Sequence, residues 1–423
     1  MLDLKFIRES PDTVKQGLAD KKVDIDIDQL LALDTERRGS IAEVELLKEE
    51  RNKQSKSIGG LMKGGKADEA ETLKAQVREL GEQIDRLDAR RLTLDAELET
   101  LLLSLPNLAH ASVPVGADET ANPVIRIHGQ PANFEFEARP HWDLGEALGI
   151  IDFKRTAKIS GSGFPTLIGA GSQLSRGLVQ FMLDLHTTEH GYTEVLPPFL
   201  VNSDAVTGTG QLPKFPEEMY RIEADDLWLI PTAEVPLTNL YRDEIIPEAL
   251  PIYLTGYTPC FRREAGAAGK MTRGMNRVHQ FDKVEMVKFV EPETSYDELE
   301  KLTGNAEAVL KKLGLHYRVI ELCTGDLSFA SAKTYDIELW APGQDTWLEV
   351  SSCSNFESFQ ARRASIRYRN ETGKAAFVHT LNGSGVALPR LIVAIMEQYQ
   401  QADGSIAIPE ALRSYVGGRE RIG

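Results

Sequence analysis

A row of apolar residues in the first quarter of the chain restricts its fold more than any other feature. Leu73, Val77, Leu80, Ile84, Leu87, Leu94, Leu98, Leu101 and Leu105 recur at alternating steps of four and three, interrupted only by Arg91. This period fits a helix that lies along another helix. A less regular row, Ile27, Leu30, Asp34, Arg37, Ile41, Val44 and Leu47, precedes it. Between the rows, Gly59-Gly60 and Gly64-Gly65 predict a helix-breaking stretch. Pro106 and Asn107 predict the end of the second helix. The expectation is an antiparallel hairpin, on the order of 50 Å long at 1.5 Å per residue. Heptads of this kind also build scaffolds and dimers, and periodicity alone leaves those readings open.

The tip of the hairpin adds a second signal. Arg51, Lys53, Lys56, Lys63 and Lys66 stand between positions 51 and 67 with no carboxylate among them. The whole chain carries a formal charge of −16, which argues against a generally nucleic-acid-binding surface. A local basic tip on an acidic protein fits contact with a polyanion, or simply a solvated turn.

The 423 residues, 42% apolar and 26% charged, suit a soluble protein of two or three domains. No apolar run is long enough for a membrane span, and the opening residues lack a secretory pattern. Cys260, Cys323 and Cys353 are odd in number and far apart. That spacing predicts neither a disulfide framework nor a zinc site, and it fits a reducing cytoplasm.

Residues 106–150 read as a proline-rich connection. A helical pattern returns at 174–189, and strand-like runs follow at 227–230, 278–290, 334–340 and 347–351. Without regular βαβ alternation, this predicts an α+β domain around an antiparallel sheet.

Three motif matches fail. Residues 60–66 fit GxxxxGK, but Ala67 stands where a P-loop needs Ser or Thr, and no strand precedes it. Gly383-Ser384-Gly385 meets Leu388 where a third glycine belongs. His186 and His190 are spaced i, i+4 without the zincin glutamate, and read as surface or interface residues.

Two charged segments carry the chemistry. One is Cys260-Phe261-Arg262-Arg263-Glu264; the other runs from Arg277 to Glu285. A polar loop containing Lys270 and Arg273 separates them. Strand alternation predicts Arg262 and Glu264 on one face, and Arg277, Phe281 and Glu285 on one face of a partner strand. Such a set offers cations for phosphates, an aromatic plate for a base and carboxylates for an amine. A salt-bridged surface hairpin fits the same residues.

The longer motifs go further. TPCFRREAG…TRGMNRVHQFDKVE resembles motif 2 of class II aminoacyl-tRNA synthetases in its seryl form, and FVHTLNGSGVALPRLIVAIMEQYQ resembles motif 3. LIPTAEVPLTNLY is similar to the family's serine-binding segment, and TYDIELWAPGQDTWLEVSSCSNFESFQARR to its stretch before motif 3. The helix near 177–192 and the Leu196-Pro197-Pro198 that follows resemble motif 1. The likeness spans essentially the whole chain, including the hairpin and the opening MLDLKFIRESPDTVK.

The resemblance implies an N-terminal tRNA-binding domain over 1–106, with its arm at about 27–105. It implies a class II catalytic domain over 107–423, an antiparallel sheet flanked by helices. Motifs 1, 2 and 3 would occupy about 177–198, 257–286 and 378–399. Arg262 would grip the α-phosphate and the serine carboxylate, and Arg262 and Arg390 would be the catalytic pair. Glu264 would read the adenine amino group and Phe281 would stack on the ring. Arg277 and Arg390 would hold the γ-phosphate end of ATP. Arg263, Val278, Val350 and Ser351 would complete the nucleotide set. Glu349 and Ser352 would bind Mg2+ through oxygen, although alternation pairs Glu349 with Ser351, so Ser352 requires a bulge or loop.

Thr232, Ala233 and Glu234 would line the serine pocket, with Glu234 accepting from the α-ammonium. Glu285 and Ser384 would meet the hydroxyl, with Asn382 nearby. Implied partners are L-serine, ATP, the tRNA for serine, the tRNA for selenocysteine, and a second copy of the chain through motif 1. No zinc and no membrane are expected. Two positions depart from the family pattern: Pro389 precedes Arg390, and Gly163 stands where a larger polar residue is usual. An amino-acid:carrier-protein ligase would lack the arm, a coiled-coil regulator would lose the charged site residues, and other class II specificities would lack the Thr232-Ala233-Glu234 segment.

Overall fold

The computed structural model describes residues 1–265 and 273–423; Lys270 lies outside the described residues. The chain divides into two compact units. One comprises residues 2–19 and 23–106, the other residues 107–423 with Met1 and residues 20–22.

The first unit begins with helices α1 (Leu4–Glu9) and α2 (Pro11–Asp20), followed by α3 (Ile27–Lys63) and α4 (Ala67–Ser104). The 37 residues of α3 extend about 55 Å at 1.5 Å per residue. Asp26 caps α3, its carboxylate accepting from the amides of Asp28 and Gln29. The seam forms as the periodicity predicts: Ile27, Leu30 and Val44 on α3, and Ile84, Leu94 and Leu98 on α4, are buried. Asp34 occupies a seam position and is fully enclosed between Arg8 (3.2 Å) and Arg38 (3.0 Å). Arg91 turns from the seam toward Asp88 and Asp95 of its own helix.

Gly59-Gly60 does not break the helix. Packing along α4 outweighs a glycine penalty of about 1 kcal/mol each. The turn comes at Gly64-Gly65, where Gly65 adopts φ +74°. There the Lys66 amide donates to the Leu61 carbonyl and the Gly65 amide to Met62, the two bonds of a glycine C-cap.

The second unit is built on an eight-stranded sheet. Its strands are β1 (Val124–His128), β2 (Thr193–Glu194), β3 (Ile252–Phe261), β4 (Gln280–Val290), β5 (Tyr317–Glu321), β6 (Lys333–Ala341), β7 (Thr346–Asn355) and β8 (His379–Ala387). The order is β1-β5-β6-β7-β8-β4-β3-β2, and only the β2–β3 pair is parallel. Its helices include α5 (His141–Ala147), α6 (Ala170–Thr188), α7 (Glu234–Asn239), α8 (Ser295–Lys312) and α9 (Leu388–Gln398). The apolar stripes of α6, α8 and α9 bury against the sheet, through Leu178, Met182, Leu302, Val309, Leu391 and Ile395. This core meets Val284 and Met286 of β4, so Glu285 between them and Lys283 before them point to the opposite face.

Two bulges shape that opposite face. Ile337 pairs with Ser351 but Glu338 pairs with Glu349, leaving Val350 as an extra residue in β7. Ser384 pairs with Glu285 but Val386 pairs with Val284, leaving Gly385 as an extra residue in β8. Each bulge reverses the alternation that follows it. Pro389 sits in the first turn of α9, where a missing amide costs no hydrogen bond. No helix among the described residues is long and apolar enough to cross a membrane.

Candidate active site

A cavity of about 650 Å³ opens on the face away from α6, α8 and α9. Its lining includes Thr232, Glu234, Arg262, Glu285, Asn382 and Ser384, and also Glu349 and Ser352. A narrower cavity of about 160 Å³ is lined by Val278, Phe281, Val350 and Arg390. Arg262, Glu264, Arg277 and Glu349 line both, so the two adjoin.

Arg262 and Glu264 reach the cavity by a route that simple alternation misses. β3 ends at Phe261, and the chain leaves the β4 ladder only after Arg262, whose amide still meets β4's neighbour in register. Arg262 N donates to the His279 carbonyl (2.8 Å) and Arg263 N to the Glu218 carbonyl (2.9 Å). Glu264 then turns in a left-handed conformation, φ +50°. Arg277 likewise precedes β4 rather than sharing its alternation. Glu264 and Arg277 pair at 3.2 Å, so separate contacts to adenine and γ-phosphate require this pair to open. The Arg262 guanidinium lies 5.1 Å from the centre of the Phe281 ring, and its Nε donates to the Pro231 carbonyl.

The inner polar cluster is dense. Lys283 Nζ lies 2.5 Å from Glu285 Oε2 and donates to Thr232 Oγ1 at 2.9 Å. Thr232 donates to the same Glu285 oxygen, and Asn382 Nδ2 to the other at 3.3 Å. Glu234 accepts from Gln360 Nε2 at 2.6 Å. Burial, with the negative charge of Glu285 second, pushes the Glu234 carboxyl up to about 7. Lys283 is the residue that sequence reasoning passed over. It lies between Phe281 and Glu285 on the alternation already noted, and that position was its signal.

The bulge at Val350 lets Glu349 and Ser352 line one cavity. Ser352 donates to the Asp336 carboxylate, and that acid is held well above its usual range by burial and by Glu349. Arg390 donates through Nη1 to the Glu349 carbonyl (2.6 Å) and through Nε to the Asn276 carbonyl (3.0 Å). Glu349, Ser352 and nearby Asp336 present oxygen donors only. This suits a hard cation held partly by phosphate and water. Among the described residues, no group of three or more His, Cys, Asp or Glu forms a self-sufficient metal site.

Three expected residues stay outside both cavities. Ala233 is fully buried. Ser351 is buried and donates to the Ser384 carbonyl at 2.7 Å. Arg263 points toward Glu217 at 3.9 Å. His186 is not a surface residue: it is enclosed behind β8, its Nδ1 3.0 Å from that of His190. Burial lowers its pKa to about 3. Gly163 has a positive φ, and a Cβ there would meet the His279 ring at 2.5 Å.

Comparison with known proteins accounts for this arrangement. Residues 1–109 match the seryl-tRNA synthetase N-terminal domain, and residues 218–399 the class II tRNA synthetase core domain (G, H, P, S and T). A serine–tRNA ligase of Thermomicrobium roseum is 56% identical, covering 100% of this chain and 95% of that protein. This chain belongs to the seryl-tRNA synthetase family. A second serine–tRNA ligase, from Pelotomaculum thermopropionicum, is 55% identical with 100% of each chain covered. The crystal structure of a seryl-tRNA synthetase from Pyrococcus horikoshii complexed with ATP superimposes with a TM-score of 0.94. That enzyme is 41% identical, with 100% of this chain and 99% of that one covered. The chain is therefore a class II aminoacyl-tRNA synthetase, a ligase, with the mixed fold and antiparallel sheet expected from its sequence.

Proposed function

We propose that the adjoining cavities bind L-serine and ATP and join them as seryl-adenylate, and that the protein then loads serine onto tRNA. One observation carries the reading: a buried Thr232–Lys283–Glu285–Asn382 cluster faces the same space as Arg262. The cluster suits a small hydroxyl and ammonium substrate, and the guanidinium suits the phosphate that reacts with it. Glu234 accepts from the substrate ammonium. Glu285 and Ser384 pair with its hydroxyl, so alanine would leave buried polar groups unpaired.

The serine carboxylate attacks the α-phosphorus. A carboxylate oxygen–phosphorus bond forms and the bond to pyrophosphate breaks. No general base is needed, because the nucleophile is already an anion. Catalysis is positioning and charge stabilisation, with Arg262 fixed on the oxygens that gain charge. Phe281 and Glu264 take the adenine, and Arg277 and Arg390 the terminal phosphates. The lining of the two cavities gives Ala233, Arg263 and Ser351 no direct side-chain role in this reading; they act through backbone or packing. Glu349 and Ser352 would hold Mg2+, which supplies neutralising charge to the phosphates. A ribose hydroxyl at the tRNA 3′ end then attacks the acyl carbon and releases AMP.

Residues 1–106 are assigned to binding the tRNA for serine, and that for selenocysteine, through the basic end of the α3–α4 hairpin. A homodimer through motif 1, about residues 177–198, and a cytoplasmic location complete the proposal. Arg262→Ala is expected to abolish serine-dependent ATP–pyrophosphate exchange. Deleting residues 35–98 is expected to spare exchange while aminoacylation collapses. Aminoacylation surviving the deletion would remove the hairpin from the account.

A further inference from the structure

We propose that a buried His141–Glu397 pair positions Arg277 and Arg390, and thereby sets the protein's grip on the outer phosphates of ATP. The inference rests on the reading above that these two arginines hold that end of the nucleotide.

His141 opens α5, is fully enclosed, and lies 134 residues before its partner Met275. Its Nε2 accepts the Met275 amide at 2.9 Å. A ring nitrogen that accepts carries no proton, so the single proton of the neutral ring sits on Nδ1. Nδ1 lies 3.0 Å from Glu397 Oε1 and donates to it. The same carboxylate takes the His141 amide (2.9 Å), Gln344 Nε2 (2.8 Å) and the Gly343 amide (2.9 Å). Glu397 is fully buried, yet four donors satisfy it. Gln344 passes the connection on, its Oε1 accepting from Asn276 Nδ2 at 2.6 Å.

The geometry closes on α9. Glu397 and Arg390 are seven residues apart on that helix, two turns and one face. Arg390 Nε donates to the Asn276 carbonyl at 3.0 Å. One helix thus holds the segment before Arg277 twice, at the Met275 amide through His141 and at the Asn276 carbonyl through Arg390. The approach to this anchor is equally tight. Gly274 has φ +72°, and a Cβ there would lie 2.1 Å from His141 Nε2. Arg273 places its guanidinium 4.5 Å from the Trp142 ring centre. His141 and Glu397 line neither cavity, so both are positioning residues that act through the arginines.

ATP and AMP distinguish this role from a merely structural one, since AMP lacks the phosphates that Arg277 and Arg390 would hold. The full-length protein would be titrated with each nucleotide alongside His141→Phe, Glu397→Gln and the milder Gln344→Leu. In His141→Phe and Glu397→Gln, ATP affinity is expected to fall about tenfold, as loss of a buried hydrogen bond to a charged group implies. AMP affinity and the KM for serine stay within about twofold, the range of an uninvolved contact. Gln344→Leu cuts only one branch and is expected to give the same ATP-selective loss, about threefold, should the other variants fold poorly. Equal losses for ATP and AMP, or no loss of ATP affinity, would overturn the proposal. Wild-type protein lacking serine-dependent exchange would instead overturn the reading beneath it.

Discussion

Lys283 and Glu285 form an ion pair at 2.5 Å inside the sheet, the lysine 6% and the glutamate 1% exposed. Thr232 closes a triangle with them, accepting from the ammonium and donating to the carboxylate. Removing one member of such a pair leaves the other charged, buried and unpaired. Lys283→Met is therefore expected to raise the serine KM by about tenfold or more, through loss of a charge-assisted hydrogen bond. The ATP KM should change little. Steady-state pyrophosphate exchange with each substrate varied in turn measures both, and an unchanged serine KM would remove Lys283 from the pocket's design.

Glu234 gives a pH dependence of definite sign. Its carboxyl is raised to about 7, first by burial and then by Glu285. Below that pH the free protein holds it neutral, and facing a substrate ammonium requires it to give up a proton. Serine binding should therefore release a proton near pH 6, and affinity should fall by up to about tenfold per pH unit below 7. Calorimetry in buffers of different ionisation enthalpy reads the released proton directly. Glu234→Gln should abolish the release; proton uptake would reverse the assigned sign.

The parts of this molecule legible in its sequence were those set by local repetition. The hairpin followed from the step between leucines, and the sheet from short apolar runs between turns. Glycine was the weaker guide, since α3 runs through Gly59-Gly60 and turns only at Gly64-Gly65. Strand alternation located Phe281 and Glu285 but could not show where strands end. The extra residue Val350 brings together Glu349 and Ser352, which an unbroken strand would separate. His141 was invisible for a different reason: its contacts are with residues 134 and 256 positions away, and neither spacing leaves a periodic trace.

Gly163 lies in surroundings that leave no room for a side chain. Its φ is +79°, its carbonyl accepts the His279 amide at 2.9 Å, and a Cβ would strike the His279 ring. Gly163→Ala is expected to cost about 1–2 kcal/mol from the left-handed backbone alone. Denaturant unfolding of the intact protein checks this, and an unchanged midpoint would mean the loop relaxes freely.

Lys53, Lys56, Lys63 and Lys66 lie exposed near the end of the α3–α4 hairpin. Reversing all four to glutamate should reduce aminoacylation by at least about tenfold and flatten its salt dependence, since each phosphate contact contributes to counterion release. Pyrophosphate exchange, which needs no tRNA, should be unaffected. Parallel assays over a salt series separate the two; equal losses would point to misfolding rather than to a lost tRNA contact.

Serine activation with ATP is the chemistry assigned to this cavity. ATP–pyrophosphate exchange across a panel of amino acids, with alanine, threonine, glycine and cysteine beside serine, tests it most directly. Rapid exchange with serine and weak or no exchange with the others is the expected result. Exchange driven by another amino acid, or by none, would contradict it.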